Sequence, residues 1–303
     1  LLRWLRPLAH RPGRTHLDAV TRRPDLSLAA SLDEAGVTGT MRRVLDRFFA
    51  GVLLDDSGES SAAYARLLTA TFLAGNPGLP AAGMQAFPRQ LAAPLGARVR
   101  TSTRVRGLRS RGAGFEVATD DGDLTCRQVV VATGQEDAAG LTELQEGRRN
   151  GVVTHWWATR EEPTTHRVLH VDARERPTGP LVNTAVITHA APTYAPPGWH
   201  LVAASALLGG GRPTPSEPAM RRHSAELLGA DGFAAWESVA RHEIPHALPA
   251  QPAPLEVTRP VLLDSGVVVC GDHRDTASIQ GALVSGHRAA RAVTERLGGP
   301  SGR

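Results

Sequence analysis

Residues 267–272 read Val-Val-Val-Cys-Gly-Asp, and residues 278–293 read Ser-Ile-Gln-Gly-Ala-Leu-Val-Ser-Gly-His-Arg-Ala-Ala-Arg-Ala-Val. The unbroken run of β-branched residues predicts a short strand buried on both faces. Gly271 lets the backbone turn sharply where this strand ends. Ser278 is a suitable N-cap for a helix over the second segment. The two segments therefore predict a strand-turn-helix unit that presents the Asp272 carboxylate and a helix N-terminus to one small volume.

The predicted helix has an apolar face that we expect to pack on the sheet. That stripe consists of Ile279, Ala282, Leu283, Ala289, Ala290 and Val293. The first N–H groups of a helix have no partner within it, and the helix dipole makes this end positive. Such a place suits an electron-poor ring that gains negative charge on reduction.

Residues 271–290 resemble the C-terminal flavin motif of the FAD-dependent amine oxidase superfamily, which includes protoporphyrinogen oxidase and the phytoene desaturases. The resemblance implies that Gly271 forms the turn and that Asp272 binds the ribityl chain of FAD. It also implies that the N–H groups of Ser278, Ile279 and Gln280 face the N1 and C2 carbonyl edge of the isoalloxazine. The alternative reading is an ordinary βα unit at the edge of an α/β sheet.

Further segments follow in the order that such enzymes use. Residues 83–93 resemble the return from the substrate domain to the FAD domain, with a helix that Pro88 starts. Residues 99–105 predict an alternating strand, and the resemblance implies that the backbone of Val105 meets the adenine. Residues 115–126 predict a hairpin around an Asp-Asp-Gly-Asp turn.

Residues 128–134, Gln-Val-Val-Val-Ala-Thr-Gly, predict a second buried strand. In relatives the end of this strand lies near the dinucleotide, which here implies Ala132, Thr133 and Gly134. Alone, such a string more often marks a core strand, so its weight comes from its order relative to the other segments.

Dinucleotide binding in this superfamily also uses an N-terminal strand, a Gly-x-Gly-x-x-Gly turn and a helix. We find no such fingerprint, and the chain opens on Leu1 inside an apparent amphipathic helix over residues 1–6. We therefore expect roughly the first third of a complete flavoenzyme to be absent. A second hypothesis follows, namely a non-catalytic remnant that binds no flavin.

The composition is typical of a cytoplasmic protein. The 303 residues are 41% hydrophobic, which is enough to bury a sizeable core. The length suggests about two domains. No apolar run approaches the roughly 18 residues of a membrane span, and no signal peptide is visible. Cys126 and Cys270 fall in predicted strands, so we expect both to be reduced. The net charge of +4 comes from dispersed arginines, which predicts no nucleic-acid partner.

All 34 basic residues are arginine and none is lysine. This excludes a lysine nucleophile, a Schiff base and a P-loop. Many amine oxidases of the superfamily hold a water near flavin N5 with a lysine, so the composition counts against that type. The desaturase-like and protoporphyrinogen-type branches remain open, as does a simple compositional bias.

Residues 242–246, His-Glu-Ile-Pro-His, match the zinc-protease pattern letter by letter. That chemistry needs both histidines on one continuous helix, which Pro245 disfavours. We expect an extended segment here instead, and no metal site. The resemblance to the family's Ala-Leu-Pro segment places His246 and Gln251 on the substrate side, unless they belong to a linker that faces water.

The rest of the chain predicts a substrate domain of helices and a mixed sheet. Helices are expected over residues 27–36, 41–52, 60–74 and 234–240. Phe49 and Trp156 are candidate walls of the substrate pocket, although aromatic residues at these spacings are also common in cores.

These observations predict an α/β protein with a discontinuous α+β substrate domain, residues 1–82 and 141–255. Residues 83–140 and 256–303 would form an incomplete FAD-binding, Rossmann-like domain of the glutathione-reductase type. The resemblance implies FAD, a small-molecule substrate, and oxygen or another electron acceptor. The expected reaction is a two-electron oxidation, with no acid or base catalyst identifiable because the flavin carries the chemistry.

Overall fold

The computed structural model describes residues 2–5, 24–75 and 78–298. The chain divides into two compact units, each built from two segments. The larger unit comprises Leu1–Ala93 and Arg149–Leu255, and the smaller unit comprises Pro94–Arg148 and Glu256–Arg303. The sequence analysis predicted three domain boundaries, after residues 82, 140 and 255. The roles assigned to those domains stay predictions.

In the described part of the chain, a group of helices precedes the first strand, and later helices separate or follow groups of strands. The helices are α1 Leu2–Leu5, α2 Leu28–Glu34, α3 Gly39–Leu53, α4 Ala62–Ala74, α5 Ala86–Ala92, α6 Gln135–Leu141, α7 Glu217–Leu228 and α8 Ile279–Arg296. The strands are β1 Val105–Arg111, β2 Gly114–Thr119, β3 Leu124–Cys126, β4 Val130–Val131, β5 Arg149–Thr159, β6 Asn183–Val186, β7 His200–Leu208, β8 Glu237–Pro249 and β9 Val268–Val269. Short 3-10 turns occupy Ala93–Arg98, Ile187–His189, Pro192–Tyr194, Phe233–Ala235 and Asp272–Arg274.

An antiparallel sheet of four strands, ordered β6-β7-β5-β8, forms the centre of the larger unit. Alternate residues of β5 are buried, as expected for a strand with one covered face. Val153 and Trp157 on that face are fully buried and pack with Met220 and Leu228 of α7. The main core of this unit therefore lies between the sheet and α7.

Two helices of the larger unit begin with serine caps. Ser27 Oγ accepts from Ala30 N–H at the start of α2, and Ser61 Oγ accepts from Tyr64 N–H at the start of α4. Each hydroxyl satisfies one of the N–H groups that a helix start leaves without a partner. The helices predicted over residues 27–36, 41–52 and 60–74 are thus confirmed. For the helix predicted over residues 1–6, residues 1 and 6 lie outside the described part, and α1 covers the middle.

The smaller unit combines an antiparallel sheet, β1-β2-β3, with a parallel pair, β4 and β9. Phe115, Val131, Val267 and Val269 form its core together with Ala138 of α6. Both cysteines are free, as expected. The chain is a mixed α/β protein, and the glutathione-reductase-type organisation stays a prediction.

Two predicted elements were wrong. The alternating strand expected over residues 99–105 instead begins at Val105, because pairing with β2 covers Val105–Arg111. The helix expected over residues 234–240 is replaced by the turn Phe233–Ala235 and the start of β8, since residues from Glu237 pair with β5. In both cases strand pairing, rather than the local pattern of residues, decides the structure.

Within the described residues, no helix has the length and apolar character needed to cross a bilayer.

Candidate functional site

The candidate site lies in the smaller unit, where two parallel strands end side by side. β4 pairs with β9, and Val131 stands opposite Val269. Cys270 N–H donates to Val131 O over 3.0 Å, which extends the pairing by one residue. Because parallel strands have their carboxyl ends at the same edge, residues 132–134 after β4 lie beside the turn after β9.

Gly271 occupies a place in that turn that excludes a side chain. Its φ angle of +149° lies in a region that residues with a Cβ rarely adopt. A Cβ here would approach the His273 ring to 2.6 Å and the Thr133 carbonyl oxygen to 3.4 Å. The predicted turn residue is therefore required both by its conformation and by the closeness of the His273 ring.

Ser285 on α8 holds Gly271 in position. Its buried hydroxyl accepts from Gly271 N–H over 3.0 Å and lies 2.8 Å from Gly271 O, to which it can donate. One side chain thus satisfies both backbone groups of a residue at the end of a buried strand. The sequence analysis did not assign Ser285, although it stands within the quoted motif.

The start of α8 matches the predicted cap, with one difference in its donors. Ser278 Oγ accepts from Gly281 N–H over 3.0 Å. The N–H of Ser278 itself donates to Thr276 O over 2.7 Å, so it is already engaged. Of the three predicted donors, Ile279 and Gln280 remain in the first turn, whose N–H groups have no partner within the helix.

The packed face of α8 differs from the predicted stripe. Gly281, Ser285 and Ala289 are its buried residues, whereas Ile279 and Leu283 are 52% and 46% exposed. A Cβ on Gly281 would lie 1.9 Å from the carbonyl oxygen of Thr276. The helix approaches the preceding turn so closely that small residues are needed there. Ile279 and Leu283 face outward, whereas Ala289 and Val293 of the predicted stripe pack against β9.

Three arginines hold the turn between β9 and α8 by its carbonyl groups. Arg288 donates to Arg259 O over 2.9 Å and to Arg274 O over 2.6 Å. Arg259 donates to His273 O over 3.0 Å, and Arg274 donates to Pro260 O over the same distance. Burial, followed by the nearby charge of Arg259, lowers the pKa of Arg274. The positioning roles of these three arginines become visible only in the folded structure.

Arg288 also closes an ion pair with Asp275 at 3.1 Å. Asp275 Oδ1 in turn accepts from Thr276 N–H over 2.9 Å. The second carboxylate of the motif is therefore committed to the scaffold, which distinguishes it from Asp272.

Asp272 and His273 are residues of the turn whose side chains can still form hydrogen bonds. The Asp272 side chain is 30% exposed, and its carboxylate accepts no hydrogen bond from a described residue. The nearest cation candidate is His273 Nδ1 at 3.8 Å, too far for a hydrogen bond. His273 is 2% exposed, and neither of its ring nitrogens has a partner within the described chain.

This set of groups fits the cofactor that the motif implies. A free carboxylate suits a ribityl hydroxyl, and the N–H groups of Ile279 and Gln280 suit a ring carbonyl. The positive end of an 18-residue helix favours negative charge at the same place. The unsatisfied imidazole of His273 also calls for a further polar partner. The individual roles stay predictions.

For the other residues predicted to contact the cofactor, the structure gives their place in the fold. Thr133 and Gly134 follow β4, and Gly134 is the residue before α6. Ala132 lies between β4 and Thr133, at the edge beside the Gly271 turn. Val105 begins β1, where it pairs with Thr119 and is 38% exposed. Its proposed backbone contact with adenine stays a prediction.

The predicted substrate-side residues belong to the larger unit. Trp156 on β5 donates to His242 Nδ1 over 3.0 Å, and His246 lies on β8. Gln251 is 4% exposed, and its Oε1 is buried without a partner in the described chain. Phe49 is 1% exposed and packs against Trp4 and Phe48 in an aromatic cluster.

The zinc-protease alternative is excluded by the conformation of residues 242–246. They lie within the continuous strand β8, whereas that chemistry needs two histidines one helical turn apart.

Comparison with solved structures shows the same fold in several proteins. An oxidoreductase from Methanosarcina mazei matches 90% of this chain and 70% of its own, with a TM-score of 0.69 at 17% identity. A protein assigned as a protoporphyrinogen oxidase from Exiguobacterium sp. 255-15 matches 96% of this chain and 70% of its own, with a TM-score of 0.70 at 13% identity. Putrescine oxidase bound to putrescine matches 89% and 68%, with a TM-score of 0.64 at 15% identity.

No curated protein matches the sequence significantly. A family model does match, and it spans residues 14–294, nearly the whole chain, including the turn at Gly271 and the start of α8. The chain belongs to the family of flavin-containing amine oxidoreductases.

Proposed function

We propose that the chain is an FAD-dependent oxidoreductase that oxidises a small or apolar organic substrate by two electrons. The observation that carries the proposal is the turn between β9 and α8. There, one unengaged carboxylate and the N-terminus of a long helix are held together by the Ser285 hydroxyl and the Arg288 guanidinium.

When bound, FAD would accept two electrons from a C–N or C–C bond and pass them to oxygen or another acceptor. Asp272 would accept a hydrogen bond from a ribityl hydroxyl. The N–H groups of Ile279 and Gln280 would donate to the pyrimidine carbonyl edge, where the helix dipole favours negative charge. Gly271 keeps the space beside Thr133 free of a side chain.

The substrate branch follows from the composition together with the family resemblance. The sequence contains no lysine, so this chain cannot supply a lysine that holds a water near the flavin. This supports a desaturase-like or protoporphyrinogen-type reaction rather than oxidation of a simple amine by the lysine-dependent route. The larger unit would supply the substrate contacts, with Trp156 and His246 as the proposed residues.

The test measures FAD binding to the purified chain by absorbance and by quenching of flavin fluorescence. We expect Asp272→Ala to weaken binding by about 1.5 to 3 kcal/mol, the usual contribution of a hydrogen bond to a charged group. That corresponds to a roughly ten- to hundredfold rise in Kd.

Asp264→Ala is the matched control, because Asp264 is an exposed carboxylate of the same unit outside the turn. Equal Kd values for the two variants would show that Asp272 does not contact the cofactor. Because the sequence contains no Gly-x-Gly-x-x-Gly turn to bind the pyrophosphate, we expect the wild-type chain to bind FAD only weakly. A wild-type chain that binds no FAD even at millimolar concentration would contradict the cofactor proposal itself and favour the non-catalytic hypothesis.

A further inference from the structure

Three strand ends of the larger unit bring together a carboxylate and two imidazoles. Glu162, His189 and His200 each offer a ligand atom, and these three atoms lie within 4.8 Å of one another. Glu162 Oε1 and His189 Nε2 are 3.0 Å apart. The rings of His189 and His200 are nearly perpendicular, with centroids 6.3 Å apart. The three residues share no sequence motif, and folding alone makes them neighbours.

The register of the sheet explains why they converge. His200 begins β7, and it stands opposite Thr159 at the end of β5. On the other side of β7, Val202 stands opposite Val186 at the end of β6. Glu162 and His189 each follow three residues after those strand ends. The two departing segments therefore reach the start of β7 from both sides.

The surrounding contacts hold these segments in place. Leu201 N–H donates to Thr188 Oγ over 3.2 Å, which ties the turn that carries His189 to β7. On the opposite side, the Arg160 guanidinium stacks 4.4 Å from the centre of the Trp199 ring. Each of these four residues is next to, or two positions from, a member of the cluster. These contacts therefore fix the backbone segments that carry the three ligand residues.

The burial of His189 keeps its ring beside Glu162. The His189 side chain is only 10% exposed, and the nitrogen that faces Glu162 is Nε2. A metal ion on Nε2 would leave Nδ1 to a partner of its own, since that atom is buried without one in the described chain. Glu162 is 47% exposed, so the cluster is open to solvent on the carboxylate side.

We propose that Glu162, His189 and His200 bind a divalent transition-metal ion, with Zn²⁺ the best match. Imidazole nitrogens favour zinc-like ions over Mg²⁺ and Ca²⁺, which prefer oxygen. Ligands of a tetrahedral zinc at its usual bond lengths lie about 3.3 Å apart. The Glu162–His189 distance already matches this, and the remaining pairs need a contraction of an ångström or so. Three protein ligands leave a fourth position for water.

This site belongs to the larger unit and the proposed cofactor site to the smaller one, and its test does not depend on flavin. The purified full chain is treated with a chelator, dialysed, and titrated with Zn²⁺ by calorimetry and with Co²⁺ by visible absorption. We expect one equivalent to bind and the thermal unfolding midpoint to rise, because a ligand that binds the folded state stabilises it. Glu162→Gln, His189→Ala and His200→Ala should each raise Kd at least tenfold.

Two controls accompany these variants. Glu161→Gln removes a neighbouring carboxylate of the same segment, and His287→Ala removes an exposed imidazole of the smaller unit. Both should change Kd less than twofold. A wild-type chain whose Kd for Zn²⁺ is weaker than about 1 mM would overturn the proposal. Binding that Glu162→Gln and Glu161→Gln weaken equally would also overturn it. Glu162 is the decisive position, since a half-exposed side chain can be replaced without loss of the fold.

Discussion

At the scale of the residue, Gly271 carries the most constrained position of the candidate site. Its φ angle and the closeness of the His273 ring both exclude a Cβ. Ser285 then fixes its backbone from α8. A single position thus determines where the Asp272 carboxylate stands relative to the helix start.

We expect Gly271→Ala to lower the free energy of unfolding by about 1 to 3 kcal/mol, the usual cost of a strained backbone conformation. Urea denaturation of the purified chain measures the change. Gly286→Ala is the matched control, because a Cβ at Gly286 in the middle of α8 meets no atom within 4 Å. That change should be neutral or stabilise by up to about 1 kcal/mol. If the two variants were equally stable, the turn would not have the geometry described.

At the scale of the element, a buried network ties α7 to the segment before β6. His223 on α7 faces the Asp172 carboxylate with its Nε2 at 2.9 Å, and Leu181 N–H donates to its Nδ1. The Nδ1 atom is thus an acceptor, so the hydrogen is on Nε2. Arg174 makes a 2.7 Å ion pair with the same carboxylate. The hydrogen bond from Arg174, assisted by that from His223, holds the pKa of Asp172 well below its usual range.

This network predicts a pH dependence of stability. A carboxyl whose folded pKa is depressed stabilises the protein above its unfolded pKa of about 3.9, and that contribution is lost as the pH falls toward the folded pKa. Asp172→Asn should therefore cost about 1.5 to 3 kcal/mol at pH 7. The difference from the wild type should narrow steadily below about pH 5 in urea denaturation series.

Asp33→Asn serves as the control, since Asp33 is 67% exposed and pairs with Arg42 on the surface. Its effect should stay within about 0.5 kcal/mol, because exposed ion pairs contribute little. A difference between Asp172→Asn and the wild type that did not vary with pH would show that the carboxylate has no depressed pKa in the folded chain.

Elements defined by local signals could be predicted from the sequence. The Ser278 cap located the start of α8, and the valine run at residues 267–269 located β9. Elements defined by distant partners could not. Residues 234–240 have a helical pattern, yet pairing with β5 makes most of them an edge strand.

The candidate site could likewise be predicted only where its residues stand in one contiguous stretch of sequence. Gly271 and Asp272 were found because they stand in a contiguous motif. Ser285, Arg259 and Arg288 act through contacts with backbone carbonyl and N–H groups that no spacing reveals. The cluster of Glu162, His189 and His200 was missed for the same reason, since its members meet only through the register of β5, β6 and β7.

At the scale of the whole molecule, each unit is built from two segments. The larger unit contains all strands of its own sheet, β5 to β8, without residues 256–303. The smaller unit needs those residues, because β9 is the partner of β4 and α8 packs next to β9. The two units therefore differ in how they depend on the C-terminal segment.

A chain that ends at Leu255 should keep the fold of the larger unit and lose that of the smaller one. Hydrogen exchange measured by mass spectrometry should show β5 and β7 protected as in the full chain. Peptides that contain β4 should exchange at rates close to those of an unfolded segment. Loss of protection in β5 and β7 as well would show that the larger unit cannot fold without residues 256–303.

The pairing of Val130 with Val268 also has a consequence during synthesis on the ribosome. β4 emerges early, and its partner is added only after the whole second segment of the larger unit has been translated. At typical elongation rates this delay is on the order of ten seconds. During that time Val130 and Val131 lack their parallel partner, so the core of the smaller unit stays incomplete. The larger unit can fold in the same interval, so maturation of this protein is expected to proceed in two steps, with the turn at Gly271 formed last.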